Sequence, residues 1–213
     1  KSILSIQSNV AYGYVGNRAA VFPLQRLGYD VSVVNTVQFS NHTGYQQWTG
    51  DVFSVEHIQE ILKGLEQRDV LHNLSAILSG YLGDSSLGDV ILNTVIKAKK
   101  NNPNLVYCCD PVIGDVGRGI FVKPSVAEFF KHVGMKQADI LTPNQFELDY
   151  LTDMDTHNLI DLMTACQIIR AQGPKFVLET SALSTGIATE AIGMLIVTED
   201  SSWLLQSPRL TFA

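Results

Sequence analysis

Short β-branched runs alternate with longer stretches whose apolar residues recur every three to four positions, and few folds tolerate that alternation. The strand-like runs are ILSIQS (3–8), DVSVVNTV (30–37), AILSGY (76–81), LVYCCD (105–110), ADILT (138–142) and KFVLETS (175–181). Between them VEHIQEILKGLEQR, SLGDVILNTVIKAKK, PSVAEFFKHV and NLIDLMTACQIIRAQ keep helical spacing, and several stop at Gly or Asn-Pro. A strand, a helix and a further strand repeated in this way predict an α/β fold with a central, mostly parallel sheet flanked by helices. The last segments, IGMLIVTED and SSWLLQSP, read instead as two strands joined by a short acidic turn, so a β-hairpin is expected near the end.

No internal repeat, low-complexity segment or linker divides the 213 residues, and 1–213 reads as a single domain. Fifteen Lys and Arg against 21 Asp and Glu, with no basic run, argue against a nucleic-acid partner. No apolar run approaches the roughly 18 residues of a membrane span, and KSILSIQSNV runs directly into strand-like sequence, so no membrane association and a cytoplasmic location are expected. Cys108, Cys109 and Cys166 lack C-x-x-C spacing and read as reduced packing thiols.

Ligands of an open parallel sheet bind beyond the carboxyl ends of its strands, so the residues ending each run matter most. These are Ser8, Gly80-Tyr81, Asp110, Thr142 and Thr180-Ser181, a set of polar groups on one rim. Asp110 leads into Pro111, and Asp115 follows within a loop holding Gly114, Gly117 and Gly119. Alone, that loop is a surface turn. Together with Glu147, the two aspartates form an oxygen-rich set suited to a hydrated Mg²⁺ carrying nucleotide phosphates.

In TPNQFE, Asn144 and Glu147 have the spacing of a helix capping box and the side chains of a metal site, and both readings stand. Near the first strand end, GYVG is neither a dinucleotide fingerprint nor a P-loop. Phe39, His42, Thr43, Tyr45 and Trp48 mix flat rings with hydrogen-bonding groups, a combination that suits a small heteroaromatic ligand. The absence of H-E-x-x-H and G-x-S-x-G argues against zinc or triad hydrolysis, and phosphoryl transfer is the chemistry best matched to the rim.

SIQS with GYVGN, NTVQFSNHTGY with Trp48, LSGYLG, CDPVIGD and TPNQFE, in this order and spacing, resemble pyridoxal kinase of the ribokinase-like superfamily. The resemblance implies transfer of the ATP γ-phosphate to the 5'-hydroxyl of pyridoxal, and of pyridoxine and pyridoxamine in many members, in vitamin B6 salvage. SNHTGY separates this reading from its sibling, hydroxymethylpyrimidine kinase; a non-catalytic B6-binding protein is the alternative from another class.

By resemblance, Ser8, His42, Thr43 and Tyr81 hold the pyridine substrate. Asp110, Asp115, Thr142, Asn144, Glu147 and Thr180 organise ATP, with Asp110 and Glu147 holding Mg²⁺ largely through water. Many bacterial members carry Lys where Thr180 stands, whereas animal-type members carry a Thr-Ser pair like Thr180-Ser181. Ser207, Pro208, Arg209 and Leu210 match a nucleotide-side segment more loosely, and a homodimer is implied as well. The family's G-x-G-D loop, with its anion hole and catalytic aspartate, is absent from these residues, so the catalytic aspartate is expected beyond Ala213. The C-terminal part of the family fold is then missing, and a polypeptide ending at Ala213 is expected to have little or no kinase activity.

Overall fold

The computed structural model describes residues 1–182 and 186–210. Its strands and helices, in chain order, are β1 (Ser2–Tyr12), α1 (Asn17–Arg26), β2 (Asp30–Asn41), β3 (Gly50–Val52), α2 (Val55–Gln67), β4 (Leu74–Ser79), α3 (Ser86–Asn101) and β5 (Val106–Cys109). There follow a small hairpin, β6 (Gly114–Asp115) and β7 (Gly119–Ile120), then α4 (Pro124–Phe129), α5 (Met135–Gln137), β8 (Ile140–Leu141), α6 (Gln145–Thr152) and α7 (Leu159–Arg170). The last three strands are β9 (Phe176–Ala182), β10 (Ala191–Val197) and β11 (Ser202–Pro208).

The main sheet runs β11-β10-β9-β8-β5-β4-β1-β2-β3. Its central six strands pair in parallel, and β10, β11 and β3 are antiparallel additions at the edges. This is the mostly parallel sheet with a closing hairpin that the alternation of runs predicts. From β1 the chain steps outward to β2 and then returns past β1 to β4, so the direction of winding reverses between β1 and β4. Right-handed crossovers therefore put α1 on one face of the sheet and α2 with α3 on the other. A reversal of this kind opens a crevice at the carboxyl ends of the two strands.

The core gathers Leu4, Ile6, Ile77, Leu141, Val177 and Leu195 from the sheet with Ile58, Ile91, Leu148, Leu162 and Ile169 from the helices. Burying each such side chain stabilises the fold by about 1.5–3 kcal/mol relative to exposure. Cys109 and Cys166 belong to the same cluster, Cys108 is half-buried, and all three are free thiols.

Several boundaries differ from the sequence reading. β1 and β2 continue to Tyr12 and Asn41, past the rim, because their pairing resumes after a register shift between Gln7 and Asn9. Ser8 alone on β1 spans the interval that Thr36 and Val37 fill on β2, an irregularity that re-aims a side chain. The helix expected over PSVAEFFKHV ends at Phe129 and continues through a π-helical turn, Phe130–Gly134, into α5. The glycine loop after Asp115 is folded into the β6–β7 hairpin, with Gly117 and Gly119 at φ 79° and 70°, values that L side chains rarely adopt.

Candidate active site

Two adjoining cavities occupy the rim. The first, about 280 Å³, lies at the β1/β4 reversal and is lined by Ser8, Phe39, His42, Thr43, Tyr81 and Asp110, among others. The second, about 270 Å³, contains Asp115, Arg118, Thr142, Asn144, Glu147 and Thr180. His42, Asp110, Val112 and Phe121 line both, so the cavities meet at these four residues. All four side chains read as substrate contacts thus fall in the first cavity, and six read as ATP contacts fall in the second.

Other expectations fare differently. Tyr45 lines a neighbouring hollow of about 350 Å³ with Tyr14 and His42. Trp48 lines none of these spaces and packs on Phe39 with ring centroids 4.3 Å apart, which makes it a support for the cavity wall. Ser207 and Pro208 end β11, Arg209 N donates to Glu190 O, and none of Ser207, Pro208, Arg209 and Leu210 lines either cavity.

Backbone order explains how the rim is held. Asp110 N donates to Ser79 O at 2.9 Å and Thr142 N to Cys109 O at 3.1 Å, extending the parallel ladder one residue beyond each strand. Thr180 N donates to Pro143 O at 2.8 Å, which fixes the start of α6 against β9. At the first cavity, Thr36 Oγ1 donates to the Tyr81 carbonyl at 2.9 Å. His42 caps a single 3-10 turn, Thr43–Tyr45, with Nδ1 accepting from Gly44 N. Beneath Ser8, buried Asn17 accepts from Ser5 Oγ and donates to the Gln7 and Val34 carbonyls, anchoring α1 to β1 and β2.

The capping box in TPNQFE is complete. Its Glu147 also reaches outside the helix, with Oε1 accepting from Ile113 N at 2.9 Å, while Asn144 Nδ2 donates to Gly114 O at 2.8 Å. These two side chains therefore tie the base of the β6–β7 hairpin to the start of α6.

Electrostatics single out the junction. Burial pushes the Asp110 carboxyl up to about 7, partly offset by a hydrogen bond from Thr142. Burial and the negative charge of Asp110 push Glu147 up to about 8, against the pull of backbone N–H groups at Asn144, Ile113 and Gly114. A buried carboxyl whose charge is disfavoured by a second buried carboxyl is the electrostatic condition a cation relieves. Among the described residues no group of three or more His, Cys, Asp or Glu side chains gathers for a metal. The donor set suits Mg²⁺, which keeps several waters and takes one or two carboxylates plus phosphate oxygens.

Sequence reasoning missed Arg118, Phe121 and Val112. The first sits among glycines without periodicity, and the other two lie after the strand end in a segment read as loop. A lone arginine between Gly117 and Gly119, close after Asp110 and Asp115, was the one available signal.

Sheet order, reversal point and rim together define a ribokinase-like α/β protein. Residues 24–212 match the family model described as phosphomethylpyrimidine kinase. The pyridoxal kinase PdxY of Rubrobacter xylanophilus is 49% identical over 210 residues, covering 98% of this chain and 72% of that protein. That of Granulibacter bethesdensis is 47% identical over 213 residues, covering 98% and 74%. Pyridoxal kinase from Leishmania donovani, solved in complex with ADP and pyridoxamine, superposes with a TM-score of 0.89 at 33% identity, covering 98% of this chain and 72% of that one. The chain belongs to the pyridoxal kinase family.

Proposed function

We propose that the paired cavities form the site where the ATP γ-phosphoryl group passes to the 5'-hydroxyl of pyridoxal, the reaction for which the family is named. The meeting of the two spaces at His42, Asp110, Val112 and Phe121 carries this reading, because an in-line transfer needs acceptor and donor in adjoining, separately shaped compartments. On this reading the pyridine ring would occupy the first cavity beside Tyr81, with Ser8, His42 and Thr43 as its polar partners. The phosphates lie along Asp115, Thr142, Asn144 and Thr180. Ser207, Pro208, Arg209 and Leu210 join the nucleotide side on family resemblance alone.

In the reaction a bond forms between the hydroxyl oxygen and the γ-phosphorus, the bond from that phosphorus to the β–γ bridging oxygen breaks, and ADP leaves. The hydroxyl proton passes to a base, which the resemblance assigns to the aspartate of the G-x-G-D loop. Asp110 and Glu147 would hold Mg²⁺, largely through water; when bound, the ion supplies charge neutralisation to the phosphates. A homodimer, on resemblance, and a cytoplasmic location, on the sequence reading, complete the proposal. The test is side-by-side turnover of pyridoxal and hydroxymethylpyrimidine with MgATP by the complete gene product. Preference for pyridoxal is expected; preference for the pyrimidine alcohol, consistent with the description of the matching family model, would reverse the assignment.

A further inference from the structure

The second cavity has a charge problem. Asp110, Asp115 and Glu147 all line it, in a chain of net charge −6, although a nucleotide brings several more negative charges. Arg118 is the only Lys or Arg lining either cavity among the described residues. None of the ion pairs among the described residues includes it.

Its position is defined by contacts at both ends. The backbone N–H donates to Asp115 O at 3.1 Å, closing the β6–β7 turn, and the guanidinium carbon lies 5.0 Å from the Phe121 ring centroid. Nη1 reaches Gly44, where an added Cβ would stand only 3.2 Å away. The side chain therefore spans from the hairpin to the turn after β2; it lines the second cavity and the hollow beside Tyr45, and its guanidinium sits on Phe121, one of the four residues at the seam where the two cavities meet. Its charge is felt there: burial first, and then Arg118, lower the His42 pKa.

Resting on the kinase reading of this site, we propose that Arg118 holds the phosphoryl group at the seam, on the γ-phosphate before transfer and on the phosphate ester afterwards. A planar guanidinium matches phosphate oxygens in pairs, and stacking on Phe121 restricts its orientation without consuming its N–H donors. Arg118 is thus a positioning residue that distinguishes phosphorylated product from free substrate. The exposed side chain on a two-strand hairpin can be replaced without opening the core.

The test compares the wild-type protein with Arg118→Gln and Arg118→Lys, using pyridoxine and pyridoxine 5'-phosphate as binding probes alongside turnover with MgATP. Arg118→Gln is expected to weaken the phosphate ester by about tenfold or more, with the free alcohol changed less than about twofold and kcat lowered by at least about tenfold. Arg118→Lys, which keeps the charge but not the fork, should recover part of both losses. Equal loss for the two probes, or no loss for the ester, overturns the proposal even if wild-type turnover upholds the kinase reading. Loss confined to the ester, with no turnover of pyridoxine by the wild type, upholds the contact to the ester and overturns both the kinase reading and the γ-phosphate contact.

Discussion

Asn144 and Glu147 hydrogen-bond each other in both directions: Asn144 N donates to Glu147 Oε2 at 2.9 Å, and Glu147 N donates to Asn144 Oδ1 at 3.0 Å. With Oε1 taken by Ile113 N, each oxygen of this carboxyl accepts a backbone N–H. The cap and the proposed Mg²⁺ site are therefore one device. The helix needs the carboxyl as an acceptor, and the same bonds offset part of the burial and Asp110 charge that push it up.

Glu147→Gln separates the two roles. The amide keeps one acceptor but turns a donor toward a backbone N–H, so one of the two N–H groups loses its partner at a cost of about 1–2 kcal/mol. A lower Tm is expected by calorimetry, together with a raised Mg²⁺ concentration for half-maximal turnover. An unchanged Mg²⁺ requirement would leave Glu147 as a cap and hairpin tether only.

Asp110→Asn should do the opposite to stability. Removing this charge relieves Glu147, so the ligand-free protein should melt at the same temperature or higher, while kcat falls by roughly a hundredfold. The stabilisation that MgATP confers on the wild type by mass action should shrink in the variant. Thermal shift with and without MgATP, alongside initial rates, decides it.

Gly16 supports the first cavity. Its φ of 53° with ψ of −133° is glycine territory, and an added Cβ would lie 2.2 Å from Ser8 O and 2.4 Å from Ser8 Oγ. Gly16→Ala should cost at least about 2 kcal/mol through strain and overlap. Because the displaced residue is Ser8, KM for pyridoxal should rise more than KM for ATP. Equal changes in the two KM values would count against Ser8 as a ring contact.

The parallel sheet is legible in the sequence because six β-branched runs and their helices repeat a local pattern, and Ser8, Tyr81, Asp110 and Thr142 follow as rim residues from the strand ends. What escapes is set by distance along the chain. The β6–β7 hairpin depends on Asn144 and Glu147, some thirty positions later, binding Gly114 and Ile113. Arg118 gains meaning only when that hairpin brings it to Gly44. Glu179 escapes for another reason: it occupies an inward position of β9 beside Val177, where alternation alone calls for an apolar residue.

Glu179 supports the last prediction. It is fully buried, neither carboxyl oxygen has a hydrogen-bond partner among the described residues, and burial followed by the charge of Asp149 pushes it up to about 8. The folded state therefore holds a proton that the unfolded chain, with an ordinary Glu near 4.5, releases. Stability from this group is fully present below about pH 4.5, declines as the unfolded chain ionises, and is gone by about pH 8, a loss on the order of 3 kcal/mol by neutral pH. Glu179→Gln should remove that slope while leaving an unpaired amide, and Glu179→Ile should remove the slope and raise Tm at pH 7 by several degrees. Parallel Tm profiles for wild type and Glu179→Ile between pH 5 and pH 8 would show that the carboxyl finds a partner in solution. Converging profiles toward pH 5 and diverging ones toward pH 8 are the expected result.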